Sequence, residues 1–147
     1  MAPEHVRALI LLCHAFATLA MVGLIWFVQI VHYPLFARVG EDRYHAYQRE
    51  HMSRTSLVVG PLMLLEVATA GSIVGLGLFP RTLGVGAAVL LGVVWLSTWF
   101  VQVPLHRTLE RGFDPRAAAM LVSTNWVRTV AWTVRGVLSL LFLLPEG

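Results

Sequence analysis

The sequence predicts an all-α integral membrane protein, a four-helix bundle built from two tandem two-helix units in parallel topology. Three observations carry this. Four apolar runs, each near the roughly 20 residues that cross a hydrocarbon layer, take up most of the 147 residues. Charged residues make up 13% and hydrophobic ones 57%, with mean hydropathy +0.72, whereas a soluble domain carries about 25% charged residues. Breakers fall at the edges of the runs, at Pro34, Pro80 and Pro104, and Asp114-Pro115 opens the last. The length allows one transmembrane domain, residues 1–147.

The first helix is predicted over 6–32, closed by Pro34. Arg7 and the small residues near Ala17 and Ala20 resemble a signal peptide, but the apolar run continues to Val31, beyond an h-region of about 7–15 residues. It reads as a retained transmembrane helix. The second helix is predicted over 41–79, closed by Pro80, with its membrane part at 57–79; the stretch EDRYHAYQREHMSR has acidic residues at its start and no breaker, so it projects into water as a helical forerunner. The third is predicted over 83–103, where Pro104 bends or ends it, and the fourth over 115–144 with Asp114 as N-cap. The short connection between helices two and three makes them antiparallel neighbours. Gly71 and Gly75 on one, with Gly84, Ala88 and Gly92 on the other, predict a close approach between them.

All eleven basic residues are arginine, and they gather at the ends of apolar runs rather than on one amphipathic surface, which argues against nucleic acid as a partner. Seven of them (Arg38, Arg43, Arg49, Arg54, Arg107, Arg111, Arg116) flank the connections one-to-two and three-to-four, against Arg7 and Arg81 on the other side. The bias predicts an inner-membrane protein with those connections in the cytoplasm and both termini extracytoplasmic. Trp26, Trp99 and Tyr33 then fall where an interfacial aromatic belt is expected. The single Cys13 excludes an intramolecular disulfide.

The halves carry an internal match. WFVQI at 26–30 recurs as WFVQV at 99–103, His32 recurs as His106, and Arg54-Thr55 as Arg128-Thr129, at offsets of 73 and 74. That register sets Glu66 level with Leu140.

Ionisable side chains inside a membrane helix are costly and turn inward to a partner or a cavity. Glu66, Arg128 and Arg135 are the clearest cases. Asn125, Arg128, Trp132 and Arg135 share one face of the fourth helix by their spacing, so that face points inward. Glu66 is open to two readings, an ion pair with Arg135 or a proton-handling carboxylate. Gln29 with His32, and Gln102 with His106, are paired by helical spacing, and His51 falls at similar depth. His32, His51 and His106 are therefore expected to converge, either as acid and base groups in a polar pocket or as three ligands for Zn, Cu or Fe with an open position, although no HxxxH or HExxH spacing is present. Arg54 and Arg128 are candidates to clamp an anionic oxygen, and Gln29, Gln102 and Asn125 to orient a substrate. His14 reads as a packing residue with haem ligation as the alternative, and His5 and His45 as solvated.

VPLHRTL followed by STNWVRTVAWTVRGVL, over residues 103–138, resembles a small four-helix membrane family that includes the anthrone oxygenases of aromatic polyketide pathways and bacterial relatives. Pro104 and Leu105 match its helix-three segment, and Asn125, Arg128 and Thr129 its helix-four segment; His106 stands where the family has an Asn-type residue. The resemblance implies a four-helix membrane fold and oxidation of an aromatic substrate. Together these readings point to an oxidoreductase or isomerase acting on a small lipophilic aromatic or quinone-like molecule drawn from the membrane lipid. The alternatives are a non-enzymatic small transporter or helper subunit, or a haem-binding membrane protein. Self-association is left open.

Overall fold

The computed structural model describes residues 3–144. It is a bundle of four helices: α1 Glu4–Arg38, α2 Glu41–Gly75, α3 Arg81–Leu109 and α4 Pro115–Leu141. The first three are long and apolar enough to cross a membrane. α4 is less apolar because it supplies the polar face that the others enclose: Asn125, Arg128, Trp132 and Arg135 are all buried. Its outer face is Val127, Val130, Val134 and Val137. The burial pattern is inverted relative to a soluble protein, with Leu57 and Phe100 each 74% exposed while Glu66 is 0% exposed. In a hydrocarbon solvent that is the low-energy arrangement, since apolar surface faces lipid and polar groups satisfy one another inside.

α1 packs along both α2 and α4, and α3 packs mainly on α4, leaving the α2–α3 side as the loosest of the four. The expected glycine seam does not close that side. A Cβ placed on Gly71, Gly75 or Gly92 would meet nothing within 4 Å; only Gly84 approaches α2, at 3.7 Å from Val74. The tight contact lies instead between α1 and α4, where a Cβ on Gly136 would stand 2.9 Å from Val22 Cγ2. Small residues permit close approach, but α2 and α3 are splayed by the larger side chains between them.

The prolines are where the expected boundaries change. Pro34 does not close α1, and Pro104 does not end α3. Proline removes an N–H and drives its ring against the carbonyl four residues back. Here the helix widens into a π turn just before each one, at Val28–His32 and Thr98–Gln102, with Tyr33 N–H bonded to Val28 O and Val103 N–H to Thr98 O. Each helix then continues, to Arg38 and Leu109. The duplicated backbone feature thus recurs at an offset of 70, from Val28 to Thr98 and from Pro34 to Pro104. In this register His32 corresponds to Gln102 rather than to His106.

α2 stops at Gly75, four residues before the expected end. Gly77 takes φ +59, while Gly77 N–H bonds to Val74 O and Leu78 N–H to Ile73 O. This is a Schellman cap, with Leu78 packed in one cluster with Ile73, and it needs the left-handed conformation that glycine adopts without cost. At α4 the expected N-cap is present: the Asp114 carboxylate accepts from the N–H groups of Arg116 and Ala117. α4 itself ends at Leu141, so 142–144 lie beyond the helix.

Candidate functional site

Two polar networks cross the bundle, and they differ in how they treat charge. The first surrounds Glu66. Its carboxylate accepts from Arg135 Nη2 at 3.0 Å, Thr18 Oγ1 at 2.9 Å and Trp132 Nε1 at 2.9 Å. Arg135 Nη1 also donates to the Ala87 carbonyl. One ion pair with its donors therefore ties α1, α2, α3 and α4 together. Its level corrects the register expected from the sequence match: Glu66 lies beside Trp132 and Arg135 rather than Leu140, as the 70-residue offset requires. One turn on, His14 Nδ1 is 2.8 Å from Thr69 Oγ1, whose hydroxyl donates to Leu65 O, so the imidazole donates to the threonine. The His14 ring is taken up by packing against Phe142.

The second network centres on Arg128, 6% exposed. Its Nη1 donates to Asn125 Oδ1 at 3.0 Å, its guanidinium lies over the Trp132 ring at 5.1 Å and beside the Tyr33 hydroxyl, and Nε has no partner among the described residues. Among the described residues no carboxylate forms an ion pair with it. Asn125 is held in turn by Gln29 Oε1, which accepts from Asn125 Nδ2 at 2.9 Å, while Gln29 Nε2 donates to the Val122 carbonyl. Asn125 and Gln29 thus position Arg128 from behind.

In front of Arg128 is a cavity of about 380 Å³ between α2 and α3, which accounts for the looseness of that side. Its wall is mostly apolar, with Trp95 and Trp99 on α3 and Val59, Gly60 and Met63 on α2. The polar groups that reach it include Arg128, Tyr33, His51, Thr55, Gln102 and His106. Trp95 Nε1 and Gln102 Oε1 are buried without partners among the described residues. Pockets of this size, apolar with a few convergent polar groups, are typical of small-molecule sites.

The three histidines come together as expected. His32 Nε2 and His51 Nδ1 share a hydrogen bond of 2.9 Å, and the His51 and His106 rings are 5.4 Å apart. His106 is fixed from both sides, by Gln48 Nε2 at Nδ1 (2.8 Å) and by the Tyr33 hydroxyl at Nε2 (3.0 Å). With the Gln48 amide nitrogen facing Nδ1, that ring nitrogen accepts, so Nε2 carries the proton and donates to the Tyr33 oxygen. The Tyr33 O–H proton is then left for the cavity. This geometry does not suit the metal reading of His32, His51 and His106. Both nitrogens of His106 are engaged, as is His51 Nδ1, and among the described residues no group of three His, Cys, Asp or Glu is arranged to hold a metal ion.

Several expected partners separate. Gln29 and His32 do not share a face, because the π turn lies between them: Gln29 turns to α4 and His32 to α2. Gln29 and Asn125 stand behind the cavity, not in its wall. Glu66 belongs to the first network, outside the cavity. Arg54 is exposed and paired with Glu50 at 3.1 Å, on the rim of a second, outer pocket between α1 and α2. His5 and His45 are exposed. Sequence reasoning missed Tyr33, which is buried rather than interfacial, together with Gln48 and Thr55. The signal for Tyr33 was its place directly after His32 and before Pro34, where the π turn rotates it inward. No family model, curated protein or solved structure matches this chain.

Proposed function

We propose that the cavity binds a small lipophilic molecule with an acidic oxygen, a phenol, enol or quinol, and that the protein moves a proton on it, as in an enol–keto isomerisation. The observation that carries this is Arg128: a buried cation without a counter-ion among the described residues, held at the wall of an apolar cavity. A charge at the centre of a membrane helix costs about 2.5–3.5 kcal/mol on insertion scales, and an anionic oxygen in the cavity compensates it. Donors aimed at a developing oxyanion are the largest single contribution in many enzymes. Arg128 and the Tyr33 hydroxyl supply such donors, Trp95 Nε1 and Gln102 Oε1 offer further polar contacts, and His51 is the acid or base. The loose α2–α3 side lets the apolar part of the ligand enter from the bilayer, and the aromatic substrates of the anthrone oxygenases that residues 103–138 resemble are of this chemical type. By the arginine bias the histidine end of the cavity faces the cytoplasm.

The test uses 2-hydroxy-1,4-naphthoquinone, a lipophilic acid whose neutral and ionised forms differ in colour. Titrated with detergent-purified protein, it is expected to bind as the anion, and Arg128→Met to weaken binding at least tenfold, about 1.4 kcal/mol. Wild-type protein that does not bind it, or Arg128→Met that binds it equally well, overturns the proposal.

A further inference from the structure

The buried cavity has a neighbour. The outer pocket, about 820 Å³, lies between α1 and α2 and is rimmed by Arg43, Glu50 and Arg54. Arg54 and Arg43 are largely exposed, so this pocket carries the charged and hydrated edge that the inner cavity lacks. The two spaces share a wall of four residues, Leu24, Val28, His51 and Thr55. Two of these are apolar. His32 borders only the outer pocket, whereas Arg128, Tyr33 and His106 border only the inner one. Polar continuity across the wall therefore runs through His51, whose Nδ1 meets His32 Nε2 at 2.9 Å and Thr55 Oγ1 at 3.1 Å. In the tautomer where His51 Nδ1 accepts from His32 Nε2, the His51 proton sits on Nε2, which makes no hydrogen bond to a described residue. Phe27 and Phe36 flank His32, and Tyr47 stacks on His51 with its ring 6.5 Å away. These rings pack against the pair.

We infer that His32 and His51 form a proton conduit connecting the hydrated outer pocket to the ligand oxygen in the inner cavity. The inference rests on the proposed ligand and gives its acidic oxygen a route for exchanging a proton with water from inside an apolar cavity. The step balances. A proton from water or buffer arrives at His32 Nδ1, the Nε2 proton of His32 crosses to His51 Nδ1, and the Nε2 proton of His51 passes to the ligand oxygen. Each ring gains one proton and loses one, so neither keeps a charge. Deprotonation of the ligand runs in reverse and restores both tautomers. The groups facing this pair are Phe27, Phe36 and Thr55, with Tyr47, Arg43, Glu50 and Arg54 on the outer side and Tyr33 and His106 on the inner. His32 acts through His51 and is a positioning and relay residue, while His51 touches the ligand.

The experiment is a stopped-flow pH jump on 2-hydroxy-1,4-naphthoquinone bound to excess protein in detergent, read by the colour change of the bound probe. His32→Ala is expected to slow the change at least tenfold at protein concentrations that saturate the variant, and added imidazole to restore it. A merely structural histidine gives no such rescue. His32→Gln keeps a hydrogen-bonding group toward His51 but cannot relay a proton, so it is expected to be slow as well, and it serves should His32→Ala fail to fold. An unchanged rate in either variant, or a slow His32→Ala that imidazole does not restore, overturns the conduit while leaving the ligand reading standing. Failure of wild-type protein to bind the probe removes both.

Discussion

The Glu66 network gives the sharpest stability prediction. Glu66→Gln keeps the size of the side chain and removes its charge. The carboxylate now takes three donors, two at Oε1 from Arg135 and Thr18 and one at Oε2 from Trp132. An amide offers one acceptor oxygen and one NH₂. If the oxygen keeps Arg135, the NH₂ faces the Trp132 N–H, and that donor is orphaned at a cost of about 1–3 kcal/mol. Arg135, 1% exposed, also loses its counter-ion, and breaking a buried pair by removing one partner costs about 3–5 kcal/mol in total. We expect the folded state to lose about that amount of stability in a mixed-detergent denaturant titration. Replacing both partners, Glu66→Gln with Arg135→Met, is expected to recover most of the loss, because the stranded charge is gone. The alternative role, a proton-carrying carboxylate, predicts the opposite pattern: stability held and proton transfer on the bound probe abolished. A Glu66→Gln variant within about 1 kcal/mol of wild type, or a double variant no better than the single, refutes the structural assignment.

The remaining expectations concern packing and topology. Gly136→Ala puts a Cβ 2.9 Å from the stiff Val22 side chain and is expected to destabilise by about 1–3 kcal/mol in the same titration, with Val22→Ala relieving it; the same change at Gly71, where no atom lies within 4 Å, is expected to be neutral or stabilising. Reporter insertions near Gly112 and after Pro80 are expected to score as cytoplasmic and extracytoplasmic, and the reverse pattern overturns the orientation drawn from the arginines.

Fold class was legible because it rests on composition and run length, which depend on the solvent rather than on neighbours. The inward face of α4 was legible for the same kind of reason: Asn125, Arg128, Trp132 and Arg135 lie three or four residues apart on an unbroken helix. The pairing of Gln29 with His32 failed where the spacing rule fails. A π turn adds one residue to the turn and rotates the rest of the helix by about 100° relative to a regular helix of 3.6 residues per turn. Pro34 marks the place, but a proline ends a helix when no i→i+5 bond is available, and here that bond is present. The glycine seam between α2 and α3 is not formed for another reason: small residues show only where helices are able to approach, and here a Cβ on Gly71, Gly75 or Gly92 would meet nothing within 4 Å, while Trp95, Trp99 and Met63 line a cavity on the same side.

The two arginines of α4 show how one chemical group serves two purposes in one bundle. They lie seven residues apart on the same face, yet Arg135 meets a carboxylate and a carbonyl, while Arg128 meets an amide oxygen, an indole face and the cavity. Neutral partners orient a guanidinium without cancelling its charge, so Arg128 stays electrostatically available to a ligand. Holding it there requires support from elsewhere, and the structure provides it in the chain from Val122 O through Gln29 and Asn125. Gln29 reaches that chain because it lies inside the π turn that also swings Tyr33 toward His106. The proline-linked irregularity in α1 therefore does more than tolerate a breaker: it places the arginine's support, the tyrosine hydroxyl and the His32 ring on three different neighbours within five residues of sequence.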